Sequence, residues 1–197
     1  MPVRNERQTI EIFRLLFLRT FGARVHKALF ALKGGCNLRF FLKSIRYSED
    51  MDLVIHTMSV GTLRNNVNRL LEAPSFAQAL RAQGIEIVRT SFPKQTETTQ
   101  RWRLTLHITE SGAEIPTKFE FSWRGLGGEK AVEPVDAGII RTYRLYPVIV
   151  QHYSVHSAFA GQVLAFLEPE YQEHYRNRKV WAELQEQIAD GLEALGT

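Results

Sequence analysis

Two aspartates separated by one residue, Asp50 and Asp52, stand in the segment Tyr47 to His56, where apolar and polar residues alternate. Glu49, Met51, Leu53 and Ile55 face one way and Ser48, Asp50, Asp52 and Val54 the other, which is the period of a strand. Aspartate is depleted in strands because its short polar side chain competes for backbone hydrogen bonds. The pleat sets both carboxylates on one face, close enough that their repulsion has to be offset by a cation. Hard oxygen ligands of this kind suit Mg²⁺ or Mn²⁺, and Mg²⁺ is usually completed by water and substrate phosphates. An isolated Asp-x-Asp also reads as a solvated strand face or a hairpin end, so the weight falls on its neighbours.

Three neighbours point the same way. Gly34-Gly35 precedes a short helical stretch, Asn37 to Leu42, and a glycine pair there can turn bare amides and a positive helix end toward a triphosphate. Arg46 and Ser48 add a cation and a hydroxyl just before the aspartates. In Lys118 to Arg124, the aromatics Phe119, Phe121 and Trp123 alternate inward, which leaves Glu120 on the opposite face as a candidate third carboxylate. Taken singly, each has an ordinary reading: a tight turn, a solvated loop, an exposed strand residue.

The elements that would position these groups form an α+β pattern. Ile10 to Phe21 has helical spacing and predicts an amphipathic first helix ended by Gly22. Ala28 to Lys33 runs apolar into the glycine pair. Leu63 to Leu71 and Phe76 to Gln83 read as two helices broken apart at Pro74. Strands near Ile85 to Thr90, Trp102 to Thr109 and Thr117 to Trp123 are joined by polar turns, as in an antiparallel meander. Gly125 to Gly138, with four glycines and a proline, predicts a loop, and Tyr143 to Gln151 one more strand. Val155 to Leu167 and Tyr171 to Leu195 read as helices divided at Pro169. The expected organisation is a core over 1–150 and a C-terminal helical cap over 151–197, packed as one domain.

Composition bounds the class. An apolar fraction of 44% and a charged fraction of 23% in 197 residues are those of a globular domain with a single core. No apolar run is long enough to cross a bilayer, and the charged start, Met-Pro-Val-Arg-Asn-Glu-Arg-Gln, is unlike a secretory signal. One cysteine, Cys36, forms no internal disulfide, so a cytoplasmic protein with no membrane partner is expected. A net charge of +4 favours an anionic partner such as a nucleotide or RNA.

Leu32-Lys33-Gly34-Gly35-Cys36-Asn37-Leu38-Arg39, followed by Arg46-Tyr47-Ser48-Glu49-Asp50-Met51-Asp52-Leu53, resembles the signature of the AbiEii/AbiGii toxin family. That family belongs to the DNA polymerase beta-like nucleotidyltransferases, and Lys118-Phe119-Glu120-Phe121 is similar to its third-carboxylate strand. The resemblance implies a mixed or antiparallel sheet with flanking helices. It implies a metal-dependent transferase in which Asp50, Asp52 and Glu120 are catalytic and bind Mg²⁺ or Mn²⁺, while Gly34, Gly35, Arg46 and Ser48 bind the nucleotide. It further implies transfer of a nucleoside mono- or diphosphate group from an NTP to a tRNA-like RNA or a protein hydroxyl, and a cognate antitoxin. Four positions depart from the family pattern. Cys36 stands where Thr or Ser is common, Gln162 where a helix carries lysine, and Lys179 and Ala182 where acidic residues are usual. Lys179 is on this reading a replacement phosphate-binding cation. The same departures motivate a rival reading, a weak or inactive relative that binds nucleotide or RNA.

Overall fold

The computed structural model describes residues 5–124 and 127–167, with side chains as far as Gly161. The first helix, α1 (Glu6–Arg24), starts earlier than its apolar periodicity suggests. Its start is set by Asn5, whose side chain accepts from the Gln8 N–H while the Gln8 side chain reaches back to the Asn5 N–H. The expected amphipathic helix is instead buried on nearly every side from Thr9 to Phe21. A helix buried all round lies between two layers. Phe17 meets Phe119 and Phe121 on the sheet side, and Phe13 meets Phe76 on the helical side.

After a single 3₁₀ turn (Lys27–Leu29), the chain forms β1 (Phe30–Lys33), α2 (Gly34–Phe41), β2 (Met51–Ile55), α3 (Val60–Leu71) and α4 (Pro74–Arg81). Three longer strands follow, β3 (Ile85–Gln95), β4 (Thr99–Ile108) and β5 (Glu114–Ser122), paired as the expected antiparallel meander. Then come β6 (Lys130–Pro134), α5 (Ala137–Tyr143), β7 (Ile149–Tyr153) and α6 (Val155–Leu167). The described strands form one mixed sheet in the order β3-β4-β5-β2-β1-β7-β6. Antiparallel pairing of β1 with β2, and parallel pairing of β2 with β5 and of β1 with β7, put the short strands at the centre.

Three expectations are corrected. The strand expected over Tyr47 to His56 is only Met51–Ile55, because Ser48 to Asp50 is taken up by side-chain and guanidinium contacts described below. The glycine-rich stretch expected as a loop to Gly138 contains β6 and the start of α5. An edge position accommodates Pro134, and Asp136 caps α5 by accepting from the N–H groups of Gly138 and Ile139. The strand expected from Tyr143 begins at Ile149, since Tyr143 ends α5. That strand, β7, runs through residue 150 and lies inside the sheet. The helix expected over Tyr171 to Leu195 lies outside the described residues.

One face of the sheet buries the main core against α1, α3 and α4. On the other, Ala31, Val54 and Tyr153 form a small cluster with Ala158 of α6. Alternation along β2 puts Asp52 on that second face, beside Val54. Phe17, fully buried and in ring contact with Phe13, Phe21, Phe119 and Phe121, ties α1 to the strand that carries Glu120. Phe17→Ala is expected to cost about 3–5 kcal/mol in chemical denaturation, the range for large-to-small aromatic deletions in a core.

Candidate active site

The central constellation follows from register. Asp52 of β2 lies directly opposite Glu120 of β5 and, on its other side, opposite Lys33 of β1. Neighbouring strands are about 4.8 Å apart, so the two carboxylates share one patch of the second sheet face. Asp50 precedes β2 in a bend and sits one step along, where Lys118 of β5 holds its carboxylate at 2.9 Å. Glu120 is held in turn by Arg101 of β4, at 2.6 Å. Among the described residues, no three His, Cys, Asp or Glu side chains stand close enough together to hold one metal ion.

Burial raises the carboxyl of Asp52 to about 6, with Lys33 opposing the shift and Asp50 and Glu120 adding to it. The mutual repulsion of the three acids is therefore felt in this fold, as their spacing in sequence implied. Oxygen donors only, crowded and of one sign, are the donor set that Mg²⁺ takes. Mg²⁺ uses one or two carboxylates plus phosphates, so Asp52, with Asp50 once released by Lys118, would fit such an ion. Glu120 joins them only by releasing Arg101.

The glycine pair is bound into the same patch. Gly34 opens α2 at φ +66°, a left-handed backbone that favours glycine, and a Cβ on it would lie 3.1 Å from Asp52 Oδ2. A Cβ on Gly35 would stand 2.6 Å from Ser48 Oγ, so a side chain there collides with the loop that leads to Asp50. The glycines let the start of α2 close onto both Ser48 and Asp52. Its capping residue, Lys33, makes no side-chain bond to the first-turn amides. The Ser48 hydroxyl donates to the Asp50 carbonyl at 2.7 Å. Arg46 is exposed on the preceding loop. Lys179 and Ala182 lie outside the described residues, as does the side chain of Gln162.

Three residues to which the sequence reading gave no role, Arg14, Lys118 and Arg101, complete the arrangement together with Cys36. Arg14, expected only as part of an amphipathic helix, is buried and donates to the carbonyl oxygens of Ser48, at 2.7 Å, and of Glu49. It thereby anchors the bend that carries Asp50. Cys36 does not point toward a phosphate: it is buried and donates from Sγ to the Asp50 carbonyl at 3.2 Å. Lys118 and Arg101 are the cations set against the carboxylates. A single buried arginine within an apolar helix was the available signal for Arg14, since buried arginine is rare without partners.

A family model described as nucleotidyl transferase AbiEii toxin, type IV toxin-antitoxin system, matches residues 16–180. The chain belongs to the AbiEii family. That membership accords with the resemblance of the glycine and Asp-x-Asp motifs, both of which fall inside the matched span. Among solved structures, MenT4, a nucleotidyltransferase toxin of Mycobacterium tuberculosis H37Rv, is similar with a TM-score of 0.59 at 17% identity, over 82% of this chain and 55% of that one. JHP933 of Helicobacter pylori is similar with a TM-score of 0.53 at 16% identity, over 85% of this chain and 61% of that one. These likenesses show the fold, and this chain spans less than two thirds of each relative's length. No curated protein matches the chain. No helix among the described residues is long and apolar enough to cross a membrane.

Two tests follow from this chemistry. Because the folded state holds the Asp52 proton more tightly than the unfolded chain, metal-free stability falls as pH rises from the ordinary 3.8 to about 6. Asp52→Asn is expected to lose that dependence, so its stability relative to the parent rises through the window and levels off above it. Denaturant midpoints in a chelator, measured below, within and above the window, check this. Burial also pushes the Cys36 thiol up to about 11. At neutral pH it should resist iodoacetamide in the folded protein and react promptly once unfolded, as mass spectrometry would read.

Proposed function

We propose that this family member is a Mg²⁺-dependent nucleotidyltransferase whose reaction centre is the patch of Asp50, Asp52 and Glu120. The observation that carries the reading is the direct pairing of Asp52 with Glu120 beneath the glycine-opened start of α2. In the reaction, an acceptor hydroxyl oxygen bonds to the α-phosphorus of an NTP and the bond to the bridging oxygen breaks. Pyrophosphate leaves on the opposite side, and the hydroxyl proton passes to a base. Asp50 and Asp52 would hold the metal, with Glu120 beside it. A bound Mg²⁺ supplies charge neutralisation for the triphosphate and the departing pyrophosphate.

The residues of the chain have separate tasks. Asp50 and Asp52 are committed to the metal, so Glu120, once released by Arg101, is the carboxylate suited to receive the proton of the acceptor hydroxyl. The uncapped amides at the start of α2 are oriented to donate to phosphate oxygens, with Gly34 and Gly35 leaving room for the approach. Arg46 and Ser48 lie on the loop beside them, and Lys179 is proposed as a further phosphate cation. Arg14 is a positioning residue, since it touches the carbonyls before Asp50 and no reacting group. The acceptor is an RNA or protein hydroxyl, the partner an antitoxin, and the setting the cytoplasm.

A second reading, binding of nucleotide or RNA without transfer, draws on the ion pairs that engage Asp50 and Glu120. Incubation with labelled NTPs and cellular RNA or protein separates the two. Transfer by the parent should need Mg²⁺ or Mn²⁺ and fall by more than about a hundredfold in Asp52→Ala. Losses of about 10- to 100-fold already follow from removing groups that merely orient a metal ligand. Unchanged transfer by a folded Asp52→Ala protein rejects the assignment, and bound nucleotide without transfer by the parent favours the second reading.

A further inference from the structure

The same sheet face continues beyond the carboxylates over β5, β4 and β3. There a cleft of about 380 Å³ opens beside Asp50. Three cations, Arg89, Arg103 and Lys118, line it together with Ser91 and Thr105. Its acids are Glu49 and Asp50, and Asp50 is already paired with Lys118. Among the described residues no carboxylate pairs with Arg89 or Arg103.

The placement of these cations runs against the stability of the sheet. Arg103 stands directly opposite Lys118 across β4 and β5, and Lys94 directly opposite Arg101 across β3 and β4. Like charges facing each other across a pair of strands are destabilising. Glu120 and Asp50 neutralise one cation of each pair, Arg101 and Lys118, and leave Lys94 and Arg103 without a carboxylate partner among the described residues. Nothing in the packing demands them, because Arg103 is exposed and the apolar side chains of β4 point into the core on the other face. An arrangement of this kind is relieved by an anion that bridges the rows.

We propose that this cleft is an RNA-binding groove that leads a single strand to the reaction centre, with Arg89 and Arg103 as its phosphate-binding positions. The proposal rests on the nucleotidyltransferase reading above and names the surface its acceptor uses. Register gives the groove its direction. One row runs Ser91, Arg103, Lys118 and then to Asp50, so a chain laid across the strands has its end delivered to the carboxylates. From β3 to β2 the row covers about 14 Å at the ordinary strand spacing. Guanidinium forks match phosphate oxygens, and the Ser91 and Thr105 hydroxyls suit 2′-hydroxyl or phosphate contacts. Leu104 and Pro116 are the aliphatic residues of the lining, and Leu104 is almost fully buried, so no aromatic or large aliphatic anchor site of the kind peptide recognition depends on is formed among the lining residues. Lys118 is shared between the groove and Asp50, which links strand binding to the state of the carboxylate.

A fluorescein-labelled mixed-sequence oligoribonucleotide, titrated with the full chain and followed by anisotropy over a range of salt, tests the groove. The double variant Arg89→Ala/Arg103→Ala is expected to bind at least about tenfold more weakly and to lower the salt slope by about 0.7 per cation removed. Its thermal stability should be equal to the parent's or higher, and its ATP affinity unchanged. Arg103→Glu should weaken RNA further. Parent-like affinity and salt slope in the double variant overturn the groove, whatever transfer is measured. Displacement of the RNA by poly-glutamate at equal charge concentration overturns RNA in favour of an acidic protein. If the parent binds RNA through these arginines yet never transfers a nucleotide, the groove stands and the reaction assigned to the carboxylates falls.

Discussion

The structure turns on a repulsion. Asp50, Asp52 and Glu120 share a patch of sheet face, and burial of Asp52 magnifies the effect of each neighbour on it. Such a patch survives in a folded protein only where cations are built in around it. Lys33 on β1, Lys118 on β5 and Arg101 on β4 surround the acids on three sides, each from a strand that register places there. The ends of β1 and β2 meet because the two strands are antiparallel neighbours separated in sequence by α2 and the following loop. The glycine turn and the Asp-x-Asp are thereby brought to the same end of the sheet without any further device.

Beneath the patch lies a second layer of support that is almost wholly buried. Arg14 reaches from α1 to the carbonyls of Ser48 and Glu49, and Cys36 and Ser48 both donate to the Asp50 carbonyl. A guanidinium buried to this degree is costly unless its donors are used, so the bend at Ser48 to Asp50 and the position of α1 depend on each other. A parallel bridge joins α1 to the far side of α2. Glu11 accepts from Arg39 and from the Tyr143 hydroxyl, and Arg39 lies over the Tyr47 ring. The polar residues of α1 are in this way tied to the two segments that carry the glycines and the aspartates.

Much of this was legible in the sequence where a residue type was out of place. Aspartates at i and i+2 beside apolar strand positions, a glycine pair before a helix and a glutamate between inward aromatics led to the patch that register assembles. The antiparallel meander and α3, α4 and α6 followed from periodicity. What stayed hidden was set by long-range contact. Arg14 looked like one polar residue of an amphipathic helix because its partners are backbone carbonyls more than thirty positions away, and carbonyls leave no mark in a sequence. β6 was concealed by the glycines around it and by a proline that only an edge strand accepts. Cys36 stood out in the sequence only as a cysteine where Thr or Ser is common. Its burial gives it another task, holding the backbone of Asp50.

The ordering of these layers explains why the open half of the sheet can be so unfavourable electrostatically. Stability resides on the opposite face, where Phe17, Phe119, Phe121 and Trp102 pack against one another and close the core. Alternation then leaves the outward positions of β3, β4 and β5 outside the main core, where charged residues such as Arg89, Arg103 and Lys118 are accommodated. Like-charge pairs there weaken the sheet by amounts that a core of this kind tolerates, since cross-strand pairs contribute only about 0.2–1 kcal/mol each. The acids of the reaction patch obey the same logic from the other side, as residues on a face whose cost is met by the core behind it. Each β-strand therefore carries two separate messages, and the positive rows and the carboxylates are adjacent because the register of β5 joins them. Lys118 and Glu120 are neighbours of opposite sign on that one strand, each paired with a group of the other set.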